Sequence, residues 1–268
     1  MVLKCVIQTL ILKASNRPEN DFWGLGDIIR GTIQLYQLSK KYNFKLIVDK
    51  QHHPISNYLI NHEHQFSEVV KSYKNKVPFV DIDNCEKFIL KYIKYSKNNN
   101  SGLIIFTNDF FHGPITEDCK EFIKYHFTPN KDFLDYINQK INSLPFKEYN
   151  ILHYRFGDDV LIKNMQNKKV DINSIISNIN KYHNEEENTI LVSDSVYLKK
   201  LAKEETNIFM FDSVLAHMGC SDDIKETLFE FFLITKSKKI KTFSVYWWIS
   251  GFVKISNDIF DVPLERIK

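Results

Sequence analysis

An excess of charge of either sign is missing from this sequence: 36 Lys and Arg stand against 33 Asp and Glu, leaving +3, and the basic residues are scattered. Nucleic-acid binding needs basic groups gathered on one face, so no nucleic-acid partner is expected; a local pocket for a small anion stays open. Cysteine is scarce as well. Cys5, Cys85, Cys119 and Cys220 lie far apart with no CxxC pair, which sets aside zinc-ligand spacing and a dense disulfide framework and fits reduced thiols in a cytosol-like compartment. Long apolar runs are absent. The stretch from Val6 to Leu12 is interrupted by Gln8 and Thr9 and ends at Lys13. It is too short to cross a bilayer, lacks a small-residue cleavage site, and reads as a first buried strand. No later stretch is long enough to cross one either, so no membrane span and a cytoplasmic location are expected. Glycine (8) and proline (7) are few while Lys, Asn, Ile, Phe and Tyr abound; such usage fits an AT-rich genome, and a viral origin would suit it.

What is present is core material. Hydrophobic residues make up 43% of the 268, with 21 Phe and 13 Tyr, enough for one large domain or two of ordinary size. Val2 to Leu12 reads as a strand, Trp23-Gly24-Leu25-Gly26-Asp27 as a turn, and Ile28 to Lys41 as an amphipathic helix with apolar residues at helical spacing. Phe44 to Val48 is a second strand, and a β-loop-α-β start implies a parallel sheet. Phe79–Ile82 and Leu103–Thr107 read as strands, and Glu86–Tyr95, Lys120–Phe127 and Phe133–Ile141 as helices. A second alternation begins at Tyr149, with strands at Asn150–Tyr154, Thr189–Val192, Ile208–Phe211 and Ile240–Phe243. Its helices are expected at Asp171–Tyr182, Val196–Glu205, Ile224–Thr235 and Tyr246–Val253. The pattern predicts an α/β protein of two units facing a cleft, divided near Pro145 into residues 1–145 and 146–268.

Four segments at expected strand ends could carry chemistry, and in parallel sheets ligands gather there. In His153-Tyr154-Arg155-Phe156-Gly157-Asp158-Asp159, His153 and Arg155 leave the same face of a strand. Arg155 is permanently charged and suited to a phosphate, with Asp158 able to fix its guanidinium or to accept a bond from the turn backbone. An ordinary strand followed by a Gly-Asp turn with an ion pair is the plain alternative. In Gly24-Leu25-Gly26-Asp27-Ile28-Ile29-Arg30-Gly31, two glycines let backbone approach a ligand at a helix N-terminus, or Asp27 simply caps the helix. In Val192-Ser193-Asp194-Ser195, Asp194 could bind a base or ribose, or cap the next helix. In Thr242-Phe243-Ser244-Val245-Tyr246-Trp247-Trp248, two hydroxyls suit phosphate oxygens, and the aromatics behind them are expected in the core.

Together these motifs resemble the alpha-1,2-, alpha-1,6- and protein O-fucosyltransferase superfamily. His153 to Asp158 is similar to its His-x-Arg-Arg-Gly-Asp motif, Val192-Ser193-Asp194 to its second motif, Asp223 to Trp248 to its last, and Gly24 to Asp27 to its N-terminal Gly-rich loop. The resemblance covers most of the chain in the right order. It implies a GT-B fold of two Rossmann-like domains, with the acceptor side and Gly-rich loop N-terminal and the donor nucleotide C-terminal. It further implies an inverting, metal-independent glycosyltransferase with no cofactor, taking GDP-fucose and a glycan or protein hydroxyl as acceptor. Arg155 would hold the β-phosphate, His153 and Asp194 would contact the guanine, and Ser244 with Thr242 would bind phosphate oxygens; Ser193 and Asp158 accompany them, with Gly24 and Gly26 on the loop. Asp27 is the candidate base, with Asp158 or Asp159 behind it. Phe156 stands where the family has a second Arg, Ser195 where it often has an Asp, and Val245-Tyr246 intervenes before the Trp pair. A non-catalytic nucleotide- or glycan-binding protein on the same fold, or a GT-B enzyme using another sugar nucleotide, are the alternatives.

Overall fold

The computed structural model describes residues 5–10, 24–50, 53–60, 79–81, 84–95, 102–109, 113–157, 160, 170–185, 188–213, 215 and 224–267. The chain divides into two compact units, Met1–Asn130 and Lys131–Lys268.

In the first unit the described strands are β1 (Cys5–Thr9), β2 (Lys45–Asp49), β3 (Phe79–Asp81) and β4 (Gly102–Phe106), all parallel in the order β2-β1-β4-β3. Helix α1 (Leu25–Tyr42) starts three residues before the apolar periodicity suggested, because Gly24 takes the extended N-cap conformation and its carbonyl accepts from the Asp27 and Ile28 amides. Asn43 ends it in the left-handed region with Lys40 and Lys41 in the last turn, where cations suit the helix dipole. Gly31 lets α1 lie against the end of β4: a Cβ there would stand 1.9 Å from the Thr107 carbonyl oxygen. Helices α2 (Cys85–Tyr95) and α3 (Glu117–His126) complete the described α-helices of this unit, and a short 3-10 helix covers Pro54–Asn57.

The second unit opens with α4 (Lys131–Asn142) and continues through β5 (Asn150–Arg155), α5 (Ile172–Glu185), β6 (Thr189–Ser193) and α6 (Val196–Glu205). It ends with α7 (Ile224–Thr235), β7 (Ile240–Ser244), α8 (Gly251–Phe260) and β8 (Leu264–Arg266). Its sheet is again parallel, ordered β6-β5-β7-β8. Apolar side chains from β5, β6, α5 and α6 form one core: Leu152, Tyr154, Leu191, Ile176, Ile179 and Leu198. α7 buries residues on every side, including Leu228, Phe229, Phe231 and Phe232, which is the pattern of a helix enclosed within the unit rather than lying on its surface.

Several expectations change. The helix Phe133–Ile141 was assigned to the first half, whereas α4 packs in the second: Phe133 meets Phe232 edge-on, and Tyr136 meets Phe229. The division by packing therefore falls at Asn130, before this helix, and not at Pro145. Ile208–Phe211 is not a strand but a single bridge from Phe209 to Ile190. The closing helix runs Gly251–Phe260, not Tyr246–Val253, because residues 245–248 form bends that leave β7 and Ser250 is the N-cap. Short β8 was not anticipated at all. Parts of the first expected strand, at residues 2–4 and 11–12, lie outside the described residues.

Candidate functional site

In the second unit β5 connects to β6 on one side, and β7 lies on its other side. The sheet order therefore reverses between β5 and β7, the position where doubly wound sheets open a crevice beyond their strand ends. The last residues of these two strands are Arg155 and Ser244, and they are register partners. His153 and Thr242 form the pair one step deeper on the same face.

Arg155 is held by Asp194 at the end of β6: Nη1 donates to Oδ2 at 2.8 Å. The Phe156 amide donates to Asp194 Oδ1 at 2.8 Å and the Gly157 amide to Oδ2 at 3.0 Å. One carboxylate thus ties down the guanidinium and the turn that follows β5. The Asp194 side chain is only 3% exposed, whereas that of Arg155 is 20% exposed. Burial pushes the Asp194 carboxyl above the usual range, and Arg155 with the two backbone amides pulls it back. A guanidinium carries five N–H donors in a fixed fork, so a partly exposed one, oriented from behind by a carboxylate, is arranged to meet an anion.

His153 is buried, with Nδ1 2.9 Å from Thr242 Oγ1. Burial and the adjacent Arg155 hold its pKa down at about 3, so the ring is neutral at ordinary pH. Thr242, fully buried, has its hydroxyl on this histidine. Ser244 Oγ accepts from the Tyr246 amide at 3.2 Å, which turns the chain sharply out of β7. Ser193 Oγ donates to the Tyr154 carbonyl and accepts from the Ser195 amide, so it shapes the β6 exit. Gly157 sits at φ +108°, and a Cβ there would come within 2.5 Å of Tyr246 Oη. Glycine is required at this turn for both reasons.

The structure brings Arg155, Asp194, His153, Thr242, Ser193 and Ser244 to one sheet edge. It revises three local roles. The helix after β6 is capped by Ser195, whose Oγ accepts from the Leu198 amide, leaving Asp194 for Arg155. Phe156, in place of a second arginine, is buried in the core. The aromatics after β7 are not core: Trp247 is 83% exposed and Trp248 46%. Asp158 and Asp159 lie outside the described residues.

Gly24, Gly26 and Asp27 belong to the first unit, at the N-terminus of α1. Asp27 does not cap the helix; it lies in the first turn, and its carboxylate pairs with Arg30, whose Nε donates to the Asn108 carbonyl at 3.1 Å. The sequence pattern offered no sign of the Arg30 tie to β4's exit. Among the described residues, no group of three His, Cys, Asp or Glu side chains could hold a metal ion, and no helix is long and apolar enough to cross a membrane.

No family model and no curated protein matches the sequence. Solved structures do match. Fucosyltransferase NodZ from Bradyrhizobium superposes with a TM-score of 0.57 at 12% identity, over 96% of this chain and 93% of that one. A mutant of Arabidopsis thaliana FUT1 in complex with GDP gives 0.55 at 11%, over 98% and 70%. POFUT1 in complex with GDP gives 0.54 at 8%, over 98% of both chains. The chain has the mixed α/β, parallel-sheet fold of the GT-B fucosyltransferases.

Proposed function

We propose that this protein is a glycosyltransferase that binds GDP-fucose through Arg155 and transfers the sugar, with inversion and without a metal, to a glycan or protein hydroxyl. The observation that carries this reading is Arg155 at the β5–β7 switch point, oriented by buried Asp194 and paired in register with Ser244. NodZ crystals have been soaked with GDP-fucose, and FUT1 and POFUT1 were solved with GDP. A fixed cation beside a diphosphate would offset the charge that develops as the nucleotide leaves, and a charge already in place needs no reorganisation at that moment. Asp27, whose carboxylate pairs with Arg30, is the candidate base for the acceptor hydroxyl.

Calorimetry with GDP tests the binding. Wild type should show a heat of binding, and Arg155→Ala should weaken affinity by about 30-fold or more, the loss of one hydrogen bond to a charged group worth ~2 kcal/mol. No heat at high protein concentration rejects the reading. Phe156 favours a second one: its buried ring leaves the family's second guanidinium unreplaced, as suits a protein that binds the nucleotide without turnover. GDP binding with no sugar release across several donors and acceptors would select that alternative, and a thermal-shift screen of nucleotides would reveal another donor.

A further inference from the structure

The rim that carries Arg155 also carries apolar surface with no role in holding phosphate. Trp247 and Trp248 stand out from the exit of β7, yet their backbone is braced. Arg266, at the end of β8, donates from Nη1 to the Trp247 carbonyl at 2.6 Å and from Nη2 to the Tyr246 carbonyl at 2.9 Å. The Tyr246 ring stacks on Trp248 with centroids 4.5 Å apart and planes 9° from parallel, and Trp247 meets Trp248 edge-on at 5.4 Å. Tyr246 in turn rests over Gly157, in the turn that Asp194 holds beside Arg155. The result is an exposed indole on a fixed support, already ordered before any ligand arrives.

Along the rim the order is β6, β5, β7, β8, hence Asp194, Arg155, Ser244 and then the aromatic stack. A diphosphate held in the middle has its nucleoside on one side and the transferred sugar on the other. Asp194, on the β6 side, is buried and spent on Arg155 and its turn, whereas the exposed indoles lie toward β8, whose Arg266 holds their backbone.

We infer that Trp247 and Trp248 form a stacking platform for a pyranose ring of the acceptor glycan, next to the phosphate-binding arginine. This rests on the donor-site reading above. An indole face is electronegative, and the C–H groups on the apolar face of a pyranose present positive hydrogens to it, an attraction that needs no charge on either partner. Two indoles match one or two sugar rings, whereas a stable protein interface needs about 800 Å² from each partner.

The test measures binding of neutral oligosaccharides (cellotetraose, maltotetraose, chitotetraose and lactose) by calorimetry and saturation-transfer NMR, with GDP affinity followed in parallel. At least one should bind wild type. Trp247→Ala should weaken it by about tenfold, equivalent to ~1.4 kcal/mol, while Trp247→Phe keeps most of it. GDP affinity should hold in both variants, whose folding circular dichroism would verify. Unchanged oligosaccharide binding in Trp247→Ala, or no binding of any of the four at millimolar concentrations, overturns the platform. A parallel loss of GDP affinity also overturns it, by giving the indoles to the nucleobase instead. Trp247-dependent oligosaccharide binding in a protein that ignores GDP would support the platform and remove the donor reading.

Discussion

At the scale of single residues, the site is organised by groups that hold one another in place. Asp194 spends both carboxylate oxygens on Arg155 and the following turn, and Gly157 makes that turn possible. Gly157→Ala would place a methyl group at φ +108° and against Tyr246 Oη. The backbone strain alone costs about 1–3 kcal/mol, and Tyr246 must move besides. Urea denaturation should show a loss of at least that size, and a variant as stable as wild type would mean that the turn relaxes freely. His153 and Arg155 were legible in the sequence because alternation along a strand is a local property. Asp194 and Thr242 were legible as strand-end residues too, but their pairings were not: Asp194 lies 39 residues from Arg155 and Thr242 lies 89 from His153, and only strand register joins them.

Elements show the same division. Helices α1, α5, α6 and α7 and strands β2, β5, β6 and β7 were readable from periodicity and β-branched runs, which depend on neighbours a few residues away. The segment after β7 was misread as core helix because Trp and Tyr look like core in any composition argument. Arg266, from a strand too short to notice, instead holds it as an exposed turn. Helix α4 makes a testable case. Phe133 and Tyr136 pack on Phe232 and Phe229, and Lys140 pairs with Glu226 at 2.6 Å. A fragment starting at residue 131 should therefore give a cooperative unfolding transition, and one starting at residue 146 should not. Within the whole chain, Phe133→Ala should cost ~3–5 kcal/mol, seen as faster hydrogen exchange in α7. Equal behaviour of the two fragments would return the boundary to Pro145.

For the whole molecule, buried histidines make stability depend on pH. Burial holds both His153 and His53 at about 3, against about 6.5 when unfolded. The unfolded chain therefore binds protons that the folded chain refuses. Their stabilising contribution is complete above about pH 6.5 and is lost as pH falls toward 3, at up to ~1.4 kcal/mol per pH unit for each ring. Asp194 and Glu230, their carboxyls raised by burial, work the other way: they favour the folded state at low pH, and that contribution is lost as pH rises through their folded values. The two rings by themselves make denaturation midpoints fall on acidification below about pH 6.5. His153→Gln should flatten that slope by about one proton; identical slopes would show that His153 is not buried neutral.

The sequence by itself determined the α/β alternation, the two-unit plan and the strand-end position of the His153–Gly157 segment, because helix and strand periodicity and turn chemistry are short-range. Only the tertiary structure decided that Asp194 ties down Arg155, that α4 belongs with α7, and that Trp247 faces solvent. Each of these depends on which strands become neighbours in a parallel sheet, and parallel neighbours are joined by long crossovers that carry no local trace of their pairing.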